Sequence, residues 1–278
     1  MDYQIINNNI LIKDTSEFNP KHIFDCGQVF RYLNCDSSYK IFSKKSFCSL
    51  IYIQGCVTIV TEEPKLYKKY FDLDNNYAKI KQELLSTFPK MQKAIEFGSG
   101  IRILNQDPWE MIISFIISSN NNIPRIKGIL ERLCATSGQP LDEGFAFPTV
   151  EELKGRSIDY YKGLGTGYRA SYLYKTVDAI SNGFELDLEG MDTSSARKHL
   201  MQLTGVGRKV ADCILLFGYH RTDVFPVDVW TERVYDDLFG ASAISPERKA
   251  DILCNHYGSL SGYAQQYLYY YYRENNVK

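Results

Sequence analysis

The fold of this chain is decided by the stretch Leu203-Thr204-Gly205-Val206-Gly207-Arg208-Lys209-Val210-Ala211-Asp212-Cys213. Helical spacing of apolar side chains precedes it over 194–203, and a second helix is predicted over 208–219. Gly205 and Gly207 suit a tight turn with positive φ, and without a Cβ they would let a phosphate approach the backbone. The N–H groups that open the second helix point at the same space. The stretch therefore predicts a helix–hairpin–helix, a sequence-independent clamp for one DNA phosphate.

A Gly-x-Gly turn alone would favour a simple reversal of the chain, and Lys209 shifts that balance. It stands in the first turn of the second helix, where the helix dipole is expected to lower the pKa of the amine. A neutral amine is what nucleophilic catalysis needs. Cys213 lies one turn further on the same face. The alternatives are a solvated surface lysine and a small buried apolar cysteine.

Asp228 is the next candidate for chemistry, in the segment Val224-Phe225-Pro226-Val227-Asp228-Val229-Trp230. A helix is predicted over 229–239, and Asp228 fits its N-cap, a structural role that fixes the direction of the carboxylate. An anion held beside a nucleophilic amine could stabilise a developing sugar cation and relay protons.

The region before residue 104 is rich in β-branched and aromatic residues. Alternating polarity predicts antiparallel strands in the segments Ile5–Ile12, Val29–Leu33 and Tyr39–Val60. A helical pattern follows over about Lys65–Ser86. Asp107-Pro108-Trp109-Glu110 then predicts a helix start, with Asp107 as N-cap, Pro108 at the first position and Glu110 completing a capping box.

The rest of the chain is predicted to be almost entirely helical. The predicted helices cover 108–119, 123–135, 149–155, 157–163, 169–182, 194–203, 208–219, 229–239, 246–257 and 262–274. The expected fold is α+β, with an N-terminal antiparallel sheet domain over 1–104 and an all-α helix–hairpin–helix domain over 105–278.

Composition narrows the functional classes. The 278 residues are 44% hydrophobic and carry a net charge of −1, which fits a globular protein and not a polycationic nucleic-acid binder. The seven cysteines include no Cys-x-x-Cys, so neither a disulfide framework nor a metal site is expected. Met111–Ile117 is too short an apolar run to cross a bilayer, and no secretory signal is visible. We expect an intracellular protein without metal or cofactor.

The motifs together resemble the helix–hairpin–helix DNA glycosylases, and within them the eukaryotic-type 8-oxoguanine DNA glycosylases. Besides the two segments that contain Lys209 and Asp228, matching motifs occur along nearly the whole chain. They are Gly27-Gln28-Val29-Phe30-Arg31, Gln106-Asp107-Pro108, Ser118-Ser119-Asn120-Asn121-Asn122-Ile123-Pro124-Arg125, Gly167-Tyr168-Arg169-Ala170 and Gly262-Tyr263-Ala264-Gln265. The resemblance implies that Lys209 attacks the anomeric carbon and forms a Schiff base that can cut the strand by β-elimination. It implies that Asp228 stabilises charge on the sugar.

The resemblance also implies a pocket for a base flipped out of the duplex. The carbonyl of Gly27 would accept a hydrogen bond from oxidised guanine, whereas N7 of guanine is itself an acceptor and would be repelled. Cys213 would form one wall, Gln265 would read the Watson–Crick edge, and Tyr269 would stack where the family generally has phenylalanine. The Tyr269 hydroxyl would then need a partner.

Two further groups follow from the same resemblance. Asn120, Arg125 and Arg169 would read the estranged partner base, cytosine, and Tyr168 would wedge into the vacated stack; taken alone, the arginines would be surface charges. Phosphate binding would fall to Gly205, Gly207, Val210 and Trp230, where Trp230 replaces the histidine usual in the family.

Three functions therefore stay open for this sequence. The first is a bifunctional glycosylase and lyase for 8-oxoguanine opposite cytosine in double-stranded DNA. The others are a glycosylase for another damaged base and a non-catalytic DNA-binding module. The expected protein is a monomer without membrane contact, cytoplasmic and nucleoid-associated in a bacterium or nuclear in a eukaryote.

Overall fold

The structure is a computed structural model that describes residues 1–36, 38–53 and 55–275. Its N-terminal part contains one six-stranded antiparallel sheet with the order β1-β2-β6-β5-β4-β3. The strands are β1 (Tyr3–Ile6), β2 (Asn9–Ile12), β3 (Tyr32–Cys35), β4 (Ser38–Ser43), β5 (Ser46–Ile53) and β6 (Cys56–Val60). Gln54, inside the segment predicted as strands, lies outside the described residues.

Alternation along the strands builds the first hydrophobic core. Ile10 and Ile12 on β2 and Val57 and Ile59 on β6 are fully buried, because every second side chain faces the same side of the sheet. The helices α1 (Pro20–Asp25) and α2 (Pro64–Tyr70) contribute Phe24, Tyr67 and Tyr70 to the same cluster. The predicted antiparallel sheet is thus confirmed, while α1 escaped prediction.

Two boundaries in this part differ from the sequence prediction. Val29 and Phe30 do not belong to a strand; both are buried, Val29 in the sheet core and Phe30 in the helical core, since the chain crosses here between them. The single helix predicted over Lys65–Ser86 is two helices, α2 and α3 (Tyr77–Thr87). Asp72 adopts a φ of 53° and Asn76 caps α3, which breaks the helical path.

Except for the first of them, the remaining helices follow the predicted pattern closely. They are α4 (Gln92–Phe97), α5 (Pro108–Ser118), α6 (Ile123–Ser137), α7 (Val150–Leu153), α8 (Ile158–Gly163), α9 (Ala170–Ser181), α10 (Thr193–Leu200), α11 (Arg208–Gly218), α12 (Val229–Phe239), α13 (Pro246–Tyr257) and α14 (Ser261–Glu274). Helix α4 and the short pair β7 (Pro140–Leu141) and β8 (Gly144–Phe145) were not expected.

The start of α5 is only partly as predicted. Asp107 caps the helix by accepting a hydrogen bond from the Glu110 amide at 3.1 Å. The reciprocal bond, from the Asp107 amide to the Glu110 carboxylate, is absent, because that carboxylate turns inward to Arg31, at 3.4 Å. Burial raises the pKa of Glu110 to about 7, against the lowering effect of Arg31. The capping-box prediction for Glu110 is therefore wrong.

Helices α5, α11 and α14 form the centre of a second core. The Phe115 and Phe217 rings stack 5.6 Å apart between α5 and α11, and Phe97 of α4 packs on Tyr270 of α14 at 5.1 Å. Because Tyr77 also belongs to this core, residues before 104 help to build the helical part. The division at 104/105 stays a prediction. In the described ranges no helix is long and apolar enough to span a bilayer.

Candidate active site

The hairpin between α10 and α11 has the predicted form. Gly205 adopts a φ of 88°, and a Cβ there would lie 2.5 Å from the Tyr172 ring. Gly207 differs from expectation: its φ is −87°, and nothing lies within 4 Å of a Cβ built on it. Gly207 is the N-cap of α11 without a side-chain cap, so the amides of the first turn, up to Val210, face the exposed end of the helix.

A buried carboxylate ties the two helices of the hairpin together. Asp212 on α11 is fully buried and accepts hydrogen bonds from Arg197 of α10 at 2.5 Å and from Arg208 at 2.9 Å. Arg208 also reaches the half-buried Asp251 of α13 at 2.9 Å. Burial raises the pKa of Asp212 above its ordinary value, and the two guanidinium groups oppose that shift. This cluster fixes the first turn of α11, which carries Lys209.

Gly205→Ala should destabilise the protein and weaken DNA binding. The left-handed backbone costs an alanine about 1–2 kcal/mol, and displacement of Tyr172 adds to that cost. Urea unfolding and DNA titration would measure the two effects. Gly207→Ala is the matched control for folding, with an expected change in unfolding free energy within about 0.5 kcal/mol. Equal stability of the two variants would contradict this account of the hairpin.

A small cavity beside the hairpin brings six of the predicted residues together. It is lined by Gly27, Lys209, Cys213, Asp228, Gln265 and Tyr269, with five residues that were not predicted: Cys26, Phe115, Phe217, Pro226 and Gln266. These residues come from the segment after α1, from α5 and α11, from the segment before α12, and from α14. The cavity therefore unites the predicted nucleophile, its carboxylate and the predicted base pocket.

Lys209 lies at the wall of this cavity, with its Nζ 5.6 Å from the centre of the Phe115 ring. Burial lowers the pKa of Lys209, but Cys213, Asp228 and Tyr269 raise it, and the result is a pKa above the ordinary value. The predicted lowering is thus wrong for the protein without DNA. The charges that surround the amine, from Cys213 first and then from Asp228, outweigh the lowering effects.

Asp228 performs the predicted capping role. Its Oδ1 accepts hydrogen bonds from the amides of Trp230 at 3.1 Å and Thr231 at 3.0 Å. The Thr231 hydroxyl in turn accepts from the Asp228 amide at 2.7 Å, which completes a capping box at the start of α12. The carboxylate is therefore held in a fixed direction at the edge of the cavity that contains Lys209.

Two glutamines of α14 have different surroundings in the cavity. The Gln265 side chain is buried, and its Oε1 has no hydrogen-bond partner. A buried acceptor without a partner is costly, which suits an atom that receives a donor from a ligand. Gln266 instead donates to the Cys26 thiol at 3.3 Å.

Burial raises the pKa of the Cys213 thiol to about 11, so the pocket wall is a neutral thiol near pH 7.

The phenylalanines that line the cavity escaped the sequence analysis. Phe217 lies four residues after Cys213, which itself lies four after Lys209. Extending the same spacing by one turn would have placed Phe217 on the reactive face of α11. Phe115 sits within a run of apolar residues on a helix buried on all sides, where periodicity gives no signal.

The residues predicted to read the estranged base also lie together. Asn120 is exposed in a turn with a φ of 49°. Arg125 is exposed and donates to the Gly165 carbonyl at 3.1 Å. Tyr168 is 53% exposed, as a wedge requires, and its hydroxyl donates to the Ser119 carbonyl at 3.3 Å.

Arg169 is not the surface charge that its motif would suggest without the family resemblance. It is buried, and its guanidinium donates to the carbonyls of Ser119, Asn120 and Thr166, with the Nη2 bond to Asn120 at 2.7 Å. The ring of Tyr168 lies 4.4 Å from this guanidinium. In this structure Arg169 supports the turn that contains Asn120 and packs against the ring of Tyr168.

Trp230 lies at the start of α12, half-buried beside Asp228. The guanidinium of Arg233 stacks on its indole at 4.5 Å. The contact of Trp230 with a phosphate stays a prediction.

Comparison with protein families covers most of the chain. Residues 10–112 match the N-terminal domain of 8-oxoguanine DNA glycosylase. Residues 113–257 match the HhH-GPD superfamily of base excision DNA repair proteins. The second match alone spans about half of the chain, and it contains the hairpin, Lys209 and Asp228.

Individual relatives agree with these families. An N-glycosylase/DNA lyase of Saccharomyces cerevisiae is 42% identical over 153 residues, which are 49% of this chain and 41% of the yeast protein. The 8-oxoguanine glycosylase/lyase of Clostridium acetobutylicum, solved with double-stranded DNA containing cytosine opposite 8-oxoguanine, superposes with a TM-score of 0.93. It is 38% identical, over 100% of this chain and 99% of that chain. A 3-methyladenine DNA glycosylase of Archaeoglobus fulgidus shares the fold at 16% identity, with a TM-score of 0.74 over 96% of this chain and 99% of that chain. The chain therefore belongs to the helix–hairpin–helix DNA glycosylases, in the 8-oxoguanine DNA glycosylase branch.

Proposed function

We propose that this protein excises 8-oxoguanine opposite cytosine from double-stranded DNA and then cleaves the strand as an abasic-site lyase. The observation that carries the proposal is the shared cavity, in which Lys209 and Asp228 adjoin Gly27 and Gln265. An amine, a carboxylate and two hydrogen-bond acceptors suited to reading a base line the same cavity.

The proposed reaction begins when Nζ of Lys209 attacks the anomeric carbon of the flipped nucleotide. The bond from that carbon to N9 of the base breaks, and Asp228 stabilises the positive charge that develops on the sugar. Because the pKa of Lys209 is raised, the amine must lose a proton in this step. That proton and the electron pair of the broken bond both end on the departing base. A second proton then passes from the lysine nitrogen to the ring oxygen O4′ as the bond from C1′ to O4′ breaks, which leaves a protonated Schiff base. Transfer of a C2′ proton to water expels the 3′ phosphate by β-elimination.

The base pocket supports 8-oxoguanine as the substrate. Gly27 adopts a φ of 77°, and because it has no Cβ, a base could approach its backbone once the Tyr269 ring beside it moves. Its carbonyl would accept from N7–H of 8-oxoguanine and repel the N7 acceptor of guanine. The unpartnered Oε1 of Gln265 would accept from the N–H groups of the Watson–Crick edge. Alkylated bases offer no such donor at N7, so this pair disfavours the second candidate, a glycosylase for another lesion.

The experiment that tests the function is covalent trapping with borohydride. DNA containing 8-oxoguanine opposite cytosine should be trapped on the wild-type protein, and the free base should be released. Binding without trapping or base release would support a non-catalytic module and overturn the proposal. Release of alkylated bases with no release of 8-oxoguanine would overturn the choice of substrate.

The exposed guanidinium of Arg125 predicts a preference for cytosine as the opposing base. Excision opposite cytosine should exceed excision opposite adenine, and Arg125→Ala should reduce that ratio by about tenfold, the contribution of one hydrogen bond from a charged donor. Single-turnover rates opposite the four bases would measure the ratio. Equal wild-type rates opposite cytosine and adenine would contradict the prediction.

We further propose that the protein acts as a monomer on chromosomal DNA, in a nucleoid or a nucleus. The phosphate clamp would consist of Gly205, Gly207, the Val210 amide and Trp230. A clamp made of backbone donors fits a chain with a net charge of −1, because it needs no basic patch.

A further inference from the structure

The base pocket is closed in this structure. Its cavity measures about 50 Å³, which is room for a few water molecules and too little for a purine. The ring of Tyr269 closes it: a Cβ built on Gly27 would lie 3.0 Å from both Cε1 and the hydroxyl oxygen of Tyr269. A base cannot stack between Gly27 and Tyr269 until this ring moves.

Arg273, one turn further along α14, holds the ring in place. Its Nη1 donates to the Tyr269 hydroxyl at 3.2 Å, and its guanidinium lies 5.1 Å from the ring centre. Its Nη2 donates to the carbonyl of Asp25, two residues before Gly27. The Glu274 carboxylate accepts from Nε at 3.0 Å and from Nη2 at 2.8 Å, which orients the guanidinium.

The Arg273 side chain is only 16% exposed, so its bonds to Tyr269 and Asp25 are partly shielded from water. Hydrogen bonds from a charged donor are stronger where water is largely excluded than on the exposed surface. They join the end of α1, two residues before Gly27, to the last turns of α14 beside the pocket. Arg273 is also the partner that the Tyr269 hydroxyl needs, a requirement that the phenylalanine usual in the family does not have.

We propose that Arg273 is a positioning residue that latches Tyr269 against Gly27 and thereby selects which bases enter the pocket. An entering base must break the latch. Only a base that gains the new hydrogen bond to the Gly27 carbonyl recovers that cost, so the latch acts against guanine. This selection rests on the proposed function; the closed position of Tyr269 does not.

The first test measures access to Cys213, which lies in the same cavity and is 4% exposed. Arg273→Met keeps an unbranched chain over the Tyr269 ring and removes every donor. Alkylation of Cys213 by iodoacetamide, followed by peptide mass spectrometry, should accelerate by about tenfold, the effect of one lost charged hydrogen bond. Tyr269→Phe, which removes the hydroxyl and keeps the ring, should act in the same direction.

Two controls separate the latch from general loosening. Arg156→Met removes an arginine that stacks on a tyrosine four residues away, since the Arg156 guanidinium lies 5.0 Å from the centre of the Tyr160 ring. Neither residue lines the cavity, so this substitution should leave the alkylation of Cys213 unchanged. Cys48, fully buried in the sheet core, reports global unfolding. Unchanged Cys213 alkylation in Arg273→Met, or a parallel increase at Cys48, would overturn the proposal.

The second test measures how the full-length protein discriminates between guanine and 8-oxoguanine in duplex DNA. The ratio of guanine to 8-oxoguanine excision should rise by about tenfold in Arg273→Met, with no rise in Arg156→Met. An unchanged ratio would overturn the role of Arg273 in selection. If the wild-type protein excises neither base, the proposed function fails, and Cys213 alkylation still decides whether the latch exists.

Discussion

Lys209→Gln should abolish borohydride trapping on DNA containing 8-oxoguanine and reduce base release by a factor on the order of 10³ or more. The amide nitrogen of glutamine is not a nucleophile, so no covalent bond to the anomeric carbon can form. The side chain is of similar length, and it removes a charged group from a buried wall, so the fold should be retained. Gel analysis of the trapped complex and single-turnover release of the base would measure both effects.

The matched control is Lys198→Gln on α10, five residues before the hairpin stretch begins at Leu203. Lys198 is exposed and does not line the cavity, so its loss changes the net charge equally and should leave trapping intact. A covalent complex that persists in Lys209→Gln would mean that another amine is the nucleophile. The assignment of Lys209 would then be wrong.

Asp212→Ala should lower the free energy of unfolding by about 3–5 kcal/mol. The substitution leaves Arg197 and Arg208, which are only 13% and 17% exposed, without the carboxylate between them. A buried charge without its partner carries most of its desolvation cost. Urea unfolding of the two proteins, followed by circular dichroism, would measure the difference.

Asp251→Ala is the control for this cluster, because it removes the other carboxylate that pairs with Arg208. Asp251 is 46% exposed, and an exposed ion pair contributes about 1 kcal/mol or less. Equal destabilisation by the two variants would contradict the central place of Asp212. A stable Asp212→Ala protein would show that the hairpin does not need the buried carboxylate.

The hairpin and the helix caps could be predicted from sequence because their signals are local. Gly205 needs its positive φ within the turn itself, and Asp107 and Asp228 cap helices that begin at the next residue. The resemblance then selected Gly27 and Gln265, which the structure does bring to the cavity of Lys209. Their roles in base recognition stay proposals.

The predictions that proved wrong concern residues whose environment depends on contacts with distant parts of the chain. The pKa of Lys209 follows from Asp228 and Cys213 around it, and the dipole of its own helix does not decide it. Glu110 left its capping position because Arg31, far back in the chain, offers a buried partner. The burial of Arg169 depends on carbonyls of a turn about 50 positions away. No local pattern contains that information.

The latch between Asp25 and Arg273 joins residues 248 positions apart. Lys209 and Asp228, by contrast, lie within one compact segment of helices. During synthesis on a ribosome, the segment that carries the reactive amine would emerge before α14 does. The nascent protein would thus possess its reactive group before it possesses a pocket able to discriminate. The proposed selection therefore depends on a contact that forms after the segment with the reactive group has been synthesised.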